Sequence, residues 1–456
     1  MNRRRALQLM GTMVMGLLVQ AHAAAAREGM AMLQTKKIVV IGAGLSGLAA
    51  ARELQAQGHE VVVVEARDRI GGRIWTSTKW ADMPLDLGAT WIHGVEDNPI
   101  TELAQTLQAE RLTTSYNRNA TFDMTGEALS SVDENYLEEL REQVMEELRK
   151  AQQRNADASI RDVIDALAAR IEASPKALRF INFILSGDIE QEYSGSADDL
   201  SAYWYDSAKE FDGDDELFVN GFHVITEYLA RDLHIELGQV VREIQWGEAP
   251  VRVVTDNAEF LADQVLVTLP LGVLQAGSVR FTPELPPAKQ EAIDGLGMGV
   301  LNKCYLRFSQ AFWPTDMDWL EYIPANHGEW TEWVSYMRAA NMPILLGFNA
   351  ADRGCEIEAW SDEQIVANAM QTLRTMFGAD VPDPVDYQIT RWASDPFARG
   401  SYSFNPVDSE PAMRAELAKP LDGRLFFAGE ASEKDYFSTA HGAYLSGLRA
   451  AREILA

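Results

Sequence analysis

The sequence predicts an α/β protein in two parts: a parallel-sheet domain that opens with a β-α-β unit, and a second domain of mixed sheet plus helices. Three observations carry this. Residues 36–75, KKIVVIGAGLSGLAAARELQAQGHEVVVVEARDRIGGRIW, run from a buried strand through a small-residue helix to a second buried strand. A charged helical block and a set of strand-like segments interrupt that pattern, which the tail then resumes. At 456 residues the chain is too long for one simple core.

The first strand is the apolar run Ile38 to Ile41, bounded by charge on one side and glycine on the other, as in a strand buried on both faces. GAGLSG follows, with Gly42, Gly44 and Gly47 in G-x-G-x-x-G spacing, and an Ala/Leu-rich helix continues to about Gln57. Gly58 ends the helix, Val61 to Val64 form the next strand, and Glu65 stands at its carboxyl end. Gly42 permits the tight turn, Gly44 lets backbone approach a pyrophosphate, and Gly47 lets helix and strand pack closely. The helix N-terminus offers free N–H groups to phosphate, and Glu65 is placed to accept hydrogen bonds from an adenosine ribose. Strand, helix, strand and acid in register point to dinucleotide binding.

Further along, Gly71-Gly72-Arg73 makes a turn, Gly88 to Gly94 reads GATWIHG, and Asn98-Pro99 opens a helix to about Glu110. Ser131 to Arg179 is helical, and its mixed charges read as a solvated face. Phe218 to Phe222 leads into a helix. Ile235–Leu237, Val240–Trp246, Val251–Thr255 and Gln264–Thr268 alternate as an antiparallel ribbon. Strands are expected at Asn302–Phe308, Trp319–Ile323, Trp330–Tyr336 and Ile344–Phe348, a helix at Asp362–Phe377, and a strand at Asp386–Trp392. Arg424–Ala428 is a strand, Gly429-Glu430 a turn and Thr439–Leu455 a helix. The chain divides into a discontinuous nucleotide domain (36–115, 215–298 and 396–456) and a second domain (116–214 and 299–395) that carries the helical insertion.

A formal charge of −28 excludes nucleic-acid binding, which needs a basic surface, and suits a cationic substrate. Cys304 and Cys355 have no ligand-spaced partners, so no metal site is expected; two buried free thiols are the favoured reading, with one disulfide left open for an oxidising compartment. Residues 1–23 read as a signal peptide. Arg3, Arg4 and Arg5 precede a short apolar core, and Ala21-His22-Ala23 is a cleavage signal. Arg3-Arg4-x-x-Leu7 is similar to a twin-arginine signal, the route that exports folded proteins, so a periplasmic mature protein without a membrane span is expected.

The opening alone leaves NAD and FAD both open; Gly71-Gly72-Arg73 and the distant FFAGE, Phe426 to Glu430, favour FAD, whose length requires remote segments to close over it. With GATWIHGVEDNP, TLPLGVL, LNKCYLRF, RWASDPFARGSYSF and FAGEASEKDYFSTAHGAYLSGL, the chain over 36–456 resembles the flavin-dependent amine oxidases. The likeness is greatest to the polyamine and spermine oxidases and the flavin histone demethylases, although the helical tower of the latter is absent. The resemblance implies an FAD-binding Rossmann-like domain of the glutathione-reductase type. It implies FAD contacts from Gly42, Gly44, Gly47, Glu65, Arg73 and Val241, and from Glu430, Ser438, Thr439 and Ala440 around the ribityl chain and flavin ring.

The resemblance also makes Lys303 the lysine that holds a water near the flavin, Trp392 and Tyr402 aromatic walls flanking the substrate, and His93 and Glu192 substrate-binding groups. Lys303, His93, Trp392 and Tyr402 thereby form the catalytic set. Phe397 to Tyr402 lacks the cysteine through which monoamine oxidases attach their flavin, so non-covalent FAD is expected. No arginine follows the flavin-facing Gly-Ala, which argues against amino-acid oxidation. The implied reaction is oxidation of an amine C–N bond to an imine and then an aldehyde, with O2 reduced to H2O2. A periplasmic amine dehydrogenase with a protein acceptor, an oxidase of aromatic monoamines and a non-catalytic flavin-binding protein remain the alternatives. The oligomeric state is left open.

Overall fold

The computed structural model describes residues 35–154 and 157–456; the expected signal peptide lies outside them. At the centre is a five-stranded sheet in the order Leu425–Phe427, Gln264–Val267, Lys37–Ile41, Glu60–Val64, His234–Glu236, with every pair parallel. Its Val- and Ile-rich strands are buried on both faces, as a parallel sheet covered on both sides requires. The helices Leu45–Ala56 and Ala440–Leu455 cover one face together, so the first and last segments of the chain share one core.

The expected ribbon is only partly found. Val241–Gln245, Val251–Thr255 and Glu259–Ala262 form an antiparallel meander, extended by Arg280–Thr282 in parallel. The outer two of the four segments assigned to it, at Ile235 and Gln264, instead join the central parallel sheet. Gln264–Val267 buries Val265, Leu266 and Val267 in succession, which is the pattern of a two-sided core strand and not of a ribbon.

The second large sheet has six strands in the order Asp386–Ile389, Leu301–Arg307, Ile344–Ala350, Glu332–Ser335, Trp319–Tyr322, Asn119–Phe122. All neighbours are antiparallel except the last pair, in which the unanticipated strand Asn119–Phe122 runs parallel to Trp319–Tyr322. The helix Asp362–Phe377 covers one face, its start fixed by a Ser361–Gln364 capping box.

Three helices, Ser131–Ala151, Ile160–Arg170 and Pro175–Ile184, each begin on a serine N-cap (Ser130, Ser159, Ser174). The first is amphipathic, with Leu137, Leu140, Val144 and Leu148 in the core, so only its outer side is the solvated face expected from its charges. Glu147 is buried too, paired with Arg154 and Arg170. The third helix passes directly into a π-helical turn, Leu185–Gln191. Such wide turns re-aim a helix and recur at functional sites; this one delivers Gln191 and Glu192 to the cavity described below. Cys304 is buried, but Cys355 is exposed. The helix Ala351–Glu358 buries Ala351, Gly354 and Ile357, and Cys355 falls off that face. No helix among the described residues is long and apolar enough to cross a membrane.

Candidate active site

One cavity of about 650 Å³ runs between the two sheets, from the first glycine turn to an acidic, aromatic end. Its nucleotide-sized end is built by the β-α-β unit. Gly42 has φ +107°, and a Cβ at Gly47 would lie 2.0 Å from the Gly42 carbonyl oxygen, so the helix rests directly on the turn. Gly47 therefore acts by packing and does not line the cavity, whereas Gly42 and Gly44 do. A Cβ at Gly44 would meet no protein atom within 4 Å. The helix that starts there has no side-chain cap, so its first N–H groups are open to a ligand. Glu65 accepts from Ala43 N (2.8 Å) and Arg67 N (2.9 Å), which fixes it at the strand end. Val241 lines the same end.

In the middle, Arg73 donates to Glu430 (2.8 Å) and to the Ser401 carbonyl (2.9 Å). The second Glu430 oxygen accepts from Ser403 Oγ (2.6 Å) and Ser438 N (3.1 Å). Burial alone would raise the Glu430 pKa; Arg73, Ser403 and the buried Arg414 outweigh it and hold the carboxyl below its ordinary value. Ser438, Thr439 and Ala440 line the wall at the start of the last helix. A cradle of bare glycine, a free helix end and a charged, immobile acid some distance away fits an elongated dinucleotide such as FAD.

At the far end the structure gathers Lys303, His93, Glu192, Trp392 and Tyr402 around one space. Lys303, on the strand Leu301–Arg307, donates to the carbonyls of Asp86 (3.0 Å) and Gly88 (2.7 Å) and to Thr90 Oγ1. As an ammonium it therefore has all three N–H groups matched to protein acceptors. Burial pushes its pKa down, against the opposing charge of Asp86, whose own pKa burial pushes up. A solvent-facing lysine is excluded. Trp392 donates to the Leu87 carbonyl (3.3 Å) and Tyr402 to the Gln191 carbonyl. Neither lies in a strand: Asp386–Ile389 stops short of Trp392, which sits in the turn that follows.

His93 faces Asp215 through Nδ1 (3.1 Å), and Gly94 N donates to the other Asp215 oxygen (2.9 Å). Nε2 is left available to the cavity. Burial would lower the His93 pKa, but the Asp215 hydrogen bond and the charges of Glu192, Asp215 and Glu210 raise it overall. Glu192 is pushed up by burial and by Asp215 and Glu210, against the pull of His93.

Several lining residues have no signal in the sequence. Trp319 stacks between Tyr116 (4.3 Å) and Trp91 (5.9 Å), with Phe348 at 6.3 Å from Trp91. Asp215 and Glu332 complete the acidic end. These come from six separate chain segments, and only the tertiary fold brings them together. An aromatic wall with surrounding carboxyls recognises an apolar amine bearing positive charge.

The sequence model of the family described as flavin containing amine oxidoreductase matches residues 45–455. The chain is 33% identical to Polyamine oxidase 2 of Arabidopsis thaliana, over 92% of this chain and 88% of that one. It is 34% identical to Polyamine oxidase 4 of Oryza sativa subsp. japonica, over 91% and 88%. The solved structure of a putrescine oxidase bound to putrescine superposes with a TM-score of 0.75 at 20% identity, over 92% of this chain and 99% of that one, and so shares the fold. A cradle shaped for a flavin dinucleotide, matched in sequence along nearly the whole chain, is that of an enzyme, and the chain belongs to the flavin-containing amine oxidoreductase family.

Proposed function

We propose that this protein oxidises a C–N bond of a polyamine or related amine, with non-covalently held FAD, and that O2 is reduced to H2O2. The observation that carries the reading is the far end of the cavity, where His93, Glu192, Asp215 and Glu332 face the aromatic residues Trp91, Tyr116 and Trp319. The bound flavin supplies the two-electron acceptor. The chain supplies the rest. Trp392 and Tyr402 wall the substrate on two sides, the acids attract its charge, and His93 Nε2 can accept a proton from an amine nitrogen because Nδ1 is held by Asp215. A net charge of −28 draws cations toward this mouth. Polyamine oxidase relatives and the putrescine oxidase fold support the substrate class.

Non-covalent attachment is supported by the two cysteines, neither of which lines the cavity. Acid precipitation should leave a white pellet and a yellow supernatant; a yellow pellet refutes this point. We also read residues 36–115, 215–298 and 396–456 as the FAD part, and 116–214 and 299–395 as the substrate part. The central sheet is drawn from the first set of segments and all six strands of the second sheet from the second. Export by the twin-arginine route with cleavage after Ala23 is proposed on the leader sequence alone.

The test is anaerobic bleaching of the flavin by a panel of amines. Di- and polyamines should bleach it and amino acids should not; no bleaching by any amine refutes the reading. The bleaching rate should rise with pH. An ammonium lacks the lone pair that the reaction uses, and His93 must lose a proton before it can accept one. Since the pKa of His93 is raised, the rising limb should lie above 6.5, the ordinary value for histidine. A flat rate from pH 6 to 9 (roughly the range spanning that limb) contradicts this account.

A further inference from the structure

Trp392 reaches the cavity from a turn, residues 390–394, that belongs to no strand or helix. The N–H groups of residues 392–394 therefore have no ladder to join, and side chains must satisfy them. Two side chains do so. Asn302 Oδ1 accepts from Trp392 N (3.0 Å) and from Thr390 Oγ1 (3.1 Å). Glu358 takes the next two residues: Oε1 accepts from Ala393 N (2.8 Å), and Oε2 from Ser394 N (2.7 Å) and Ser394 Oγ (2.5 Å). The two holders are themselves joined. Asn302 Nδ2 donates to Glu358 Oε1 (2.7 Å), and its other N–H goes to the Gly354 carbonyl (3.2 Å).

Asn302 is 1% exposed and has every hydrogen-bonding position of its amide filled, two on each terminal atom. Neither Asn302 nor Glu358 lines the cavity. Strand alternation gives the reason. On Leu301–Arg307, Lys303 points into the cavity, so Asn302 points to the opposite face, where the helix Ala351–Glu358 lies. Thr390 completes the circuit, since its Oγ1 accepts from Lys303 N (2.8 Å). One buried amide behind the sheet thus ties the backbone of Lys303 to that of Trp392.

On the cavity side the indole is held more loosely. Its Nε1 makes one long hydrogen bond, to the Leu87 carbonyl at 3.3 Å, and its ring meets Trp75 edge-on at 6.3 Å. The place of the ring is set by the backbone that carries it.

Resting on the amine-oxidation reading above, we propose that Asn302 and Glu358 are positioning residues for that reaction, holding the Trp392 wall from outside the cavity where it orients the substrate for oxidation. A wall displaced by about an ångström still admits the amine but presents its carbon poorly, so the pair governs the rate of oxidation more than binding.

The experiment compares holoenzyme variants by anaerobic stopped-flow bleaching with 1,4-diaminobutane. Glu358 is half-buried at the end of its helix, so Glu358→Ala should keep the fold and the flavin. Asn302→Asp keeps the shape but sets a carboxylate against Glu358 and the Gly354 carbonyl. The limiting bleaching rate should fall about 10-fold in Glu358→Ala and about 100-fold in Asn302→Asp, the scale of a misplaced group. The half-saturating amine concentration should move less than about threefold. In a Trp392→Ala background, where no ring remains to be placed, Glu358→Ala should change the rate less than about twofold. Near-ultraviolet circular dichroism of the resting holoenzyme, read before amine is added, should change in the same direction in Glu358→Ala and Trp392→Ala, because both disturb the Trp75 pair. If Asn302→Asp does not fold, Glu358→Ala carries the test. Equal rate factors for Glu358→Ala with and without the Trp392 ring, a change in half-saturation at an unchanged limiting rate, or a Glu358→Ala spectrum identical to wild type overturns the proposal while leaving amine oxidation intact. Failure of the wild type to bleach with any amine overturns the reaction and the positioning role together.

Discussion

Lys303→Met is expected to lower turnover by about 10²- to 10³-fold, the cost of removing one preorganised electrostatic group, while the protein keeps its flavin. The argument is local. Lys303 is buried on the floor of the cavity, and its Nζ is fixed by the Asp86 and Gly88 carbonyls and by Thr90. Met has similar length and no N–H, so the strand should hold and the flavin cradle, which is built from other segments, should not move. Burial lowers its pKa, so the ammonium gives up its proton more readily than a surface lysine, and a change in the charge of the site can move that proton. Stopped-flow rates for bleaching by amine and for recovery in air, set beside the flavin absorbance of the purified variant, make the check. Rates within threefold of wild type (about 0.6 kcal/mol) would remove Lys303 from the catalytic set.

Gly44→Ala and Gly47→Ala, three residues apart on the same turn, should fail in different ways. At Gly44 the backbone is extended, with φ −79° and ψ 179°, and an added methyl meets no protein atom. Stability should fall by less than about 1 kcal/mol, the scale of an N-cap change. That methyl, however, projects where a pyrophosphate would approach, so FAD affinity should fall about tenfold or more, ~1.4 kcal/mol. At Gly47 the methyl would lie 2.0 Å from the Gly42 carbonyl, inside a fully packed contact. Helix and strand must separate, which costs about 3 kcal/mol. Urea unfolding followed by circular dichroism, with FAD content measured by absorbance, separates the cases: Gly44→Ala folded and pale, Gly47→Ala destabilised. Equal stability of the two variants would mean that both glycines serve the ligand alone.

The cofactor half of the molecule was legible because its information is local. Strand, glycine spacing, helix and Glu65 lie within thirty or so residues, and each has a fixed geometric meaning there. The Ser361 capping box and the Asp362–Phe377 helix are of the same kind. The ribbon misread between Ile235 and Thr268 marks the limit of local evidence: short apolar strands look alike until their partners are known, and two of these four pair with strands far away in sequence. Glu332 was missed for a related reason. Its neighbours in sequence are Thr331 and Trp333, whereas the groups packed around it, Glu321 and Gly187, reach it only through sheet register and the π-helical turn.

By itself the sequence determined that this chain builds a dinucleotide cradle, and its motifs named Lys303, His93, Trp392 and Tyr402 as residues to watch. The tertiary structure decided what those residues can do. It buried Lys303 among carbonyls, turned the His93 ring by pairing it with Asp215, and set the buried carboxyl of Glu332 into the wall of the same cavity. The division follows from the physics: a turn is specified by the conformations open to a few adjacent residues, whereas a pKa or a binding seat is specified by which distant charges burial has brought within a few ångströms.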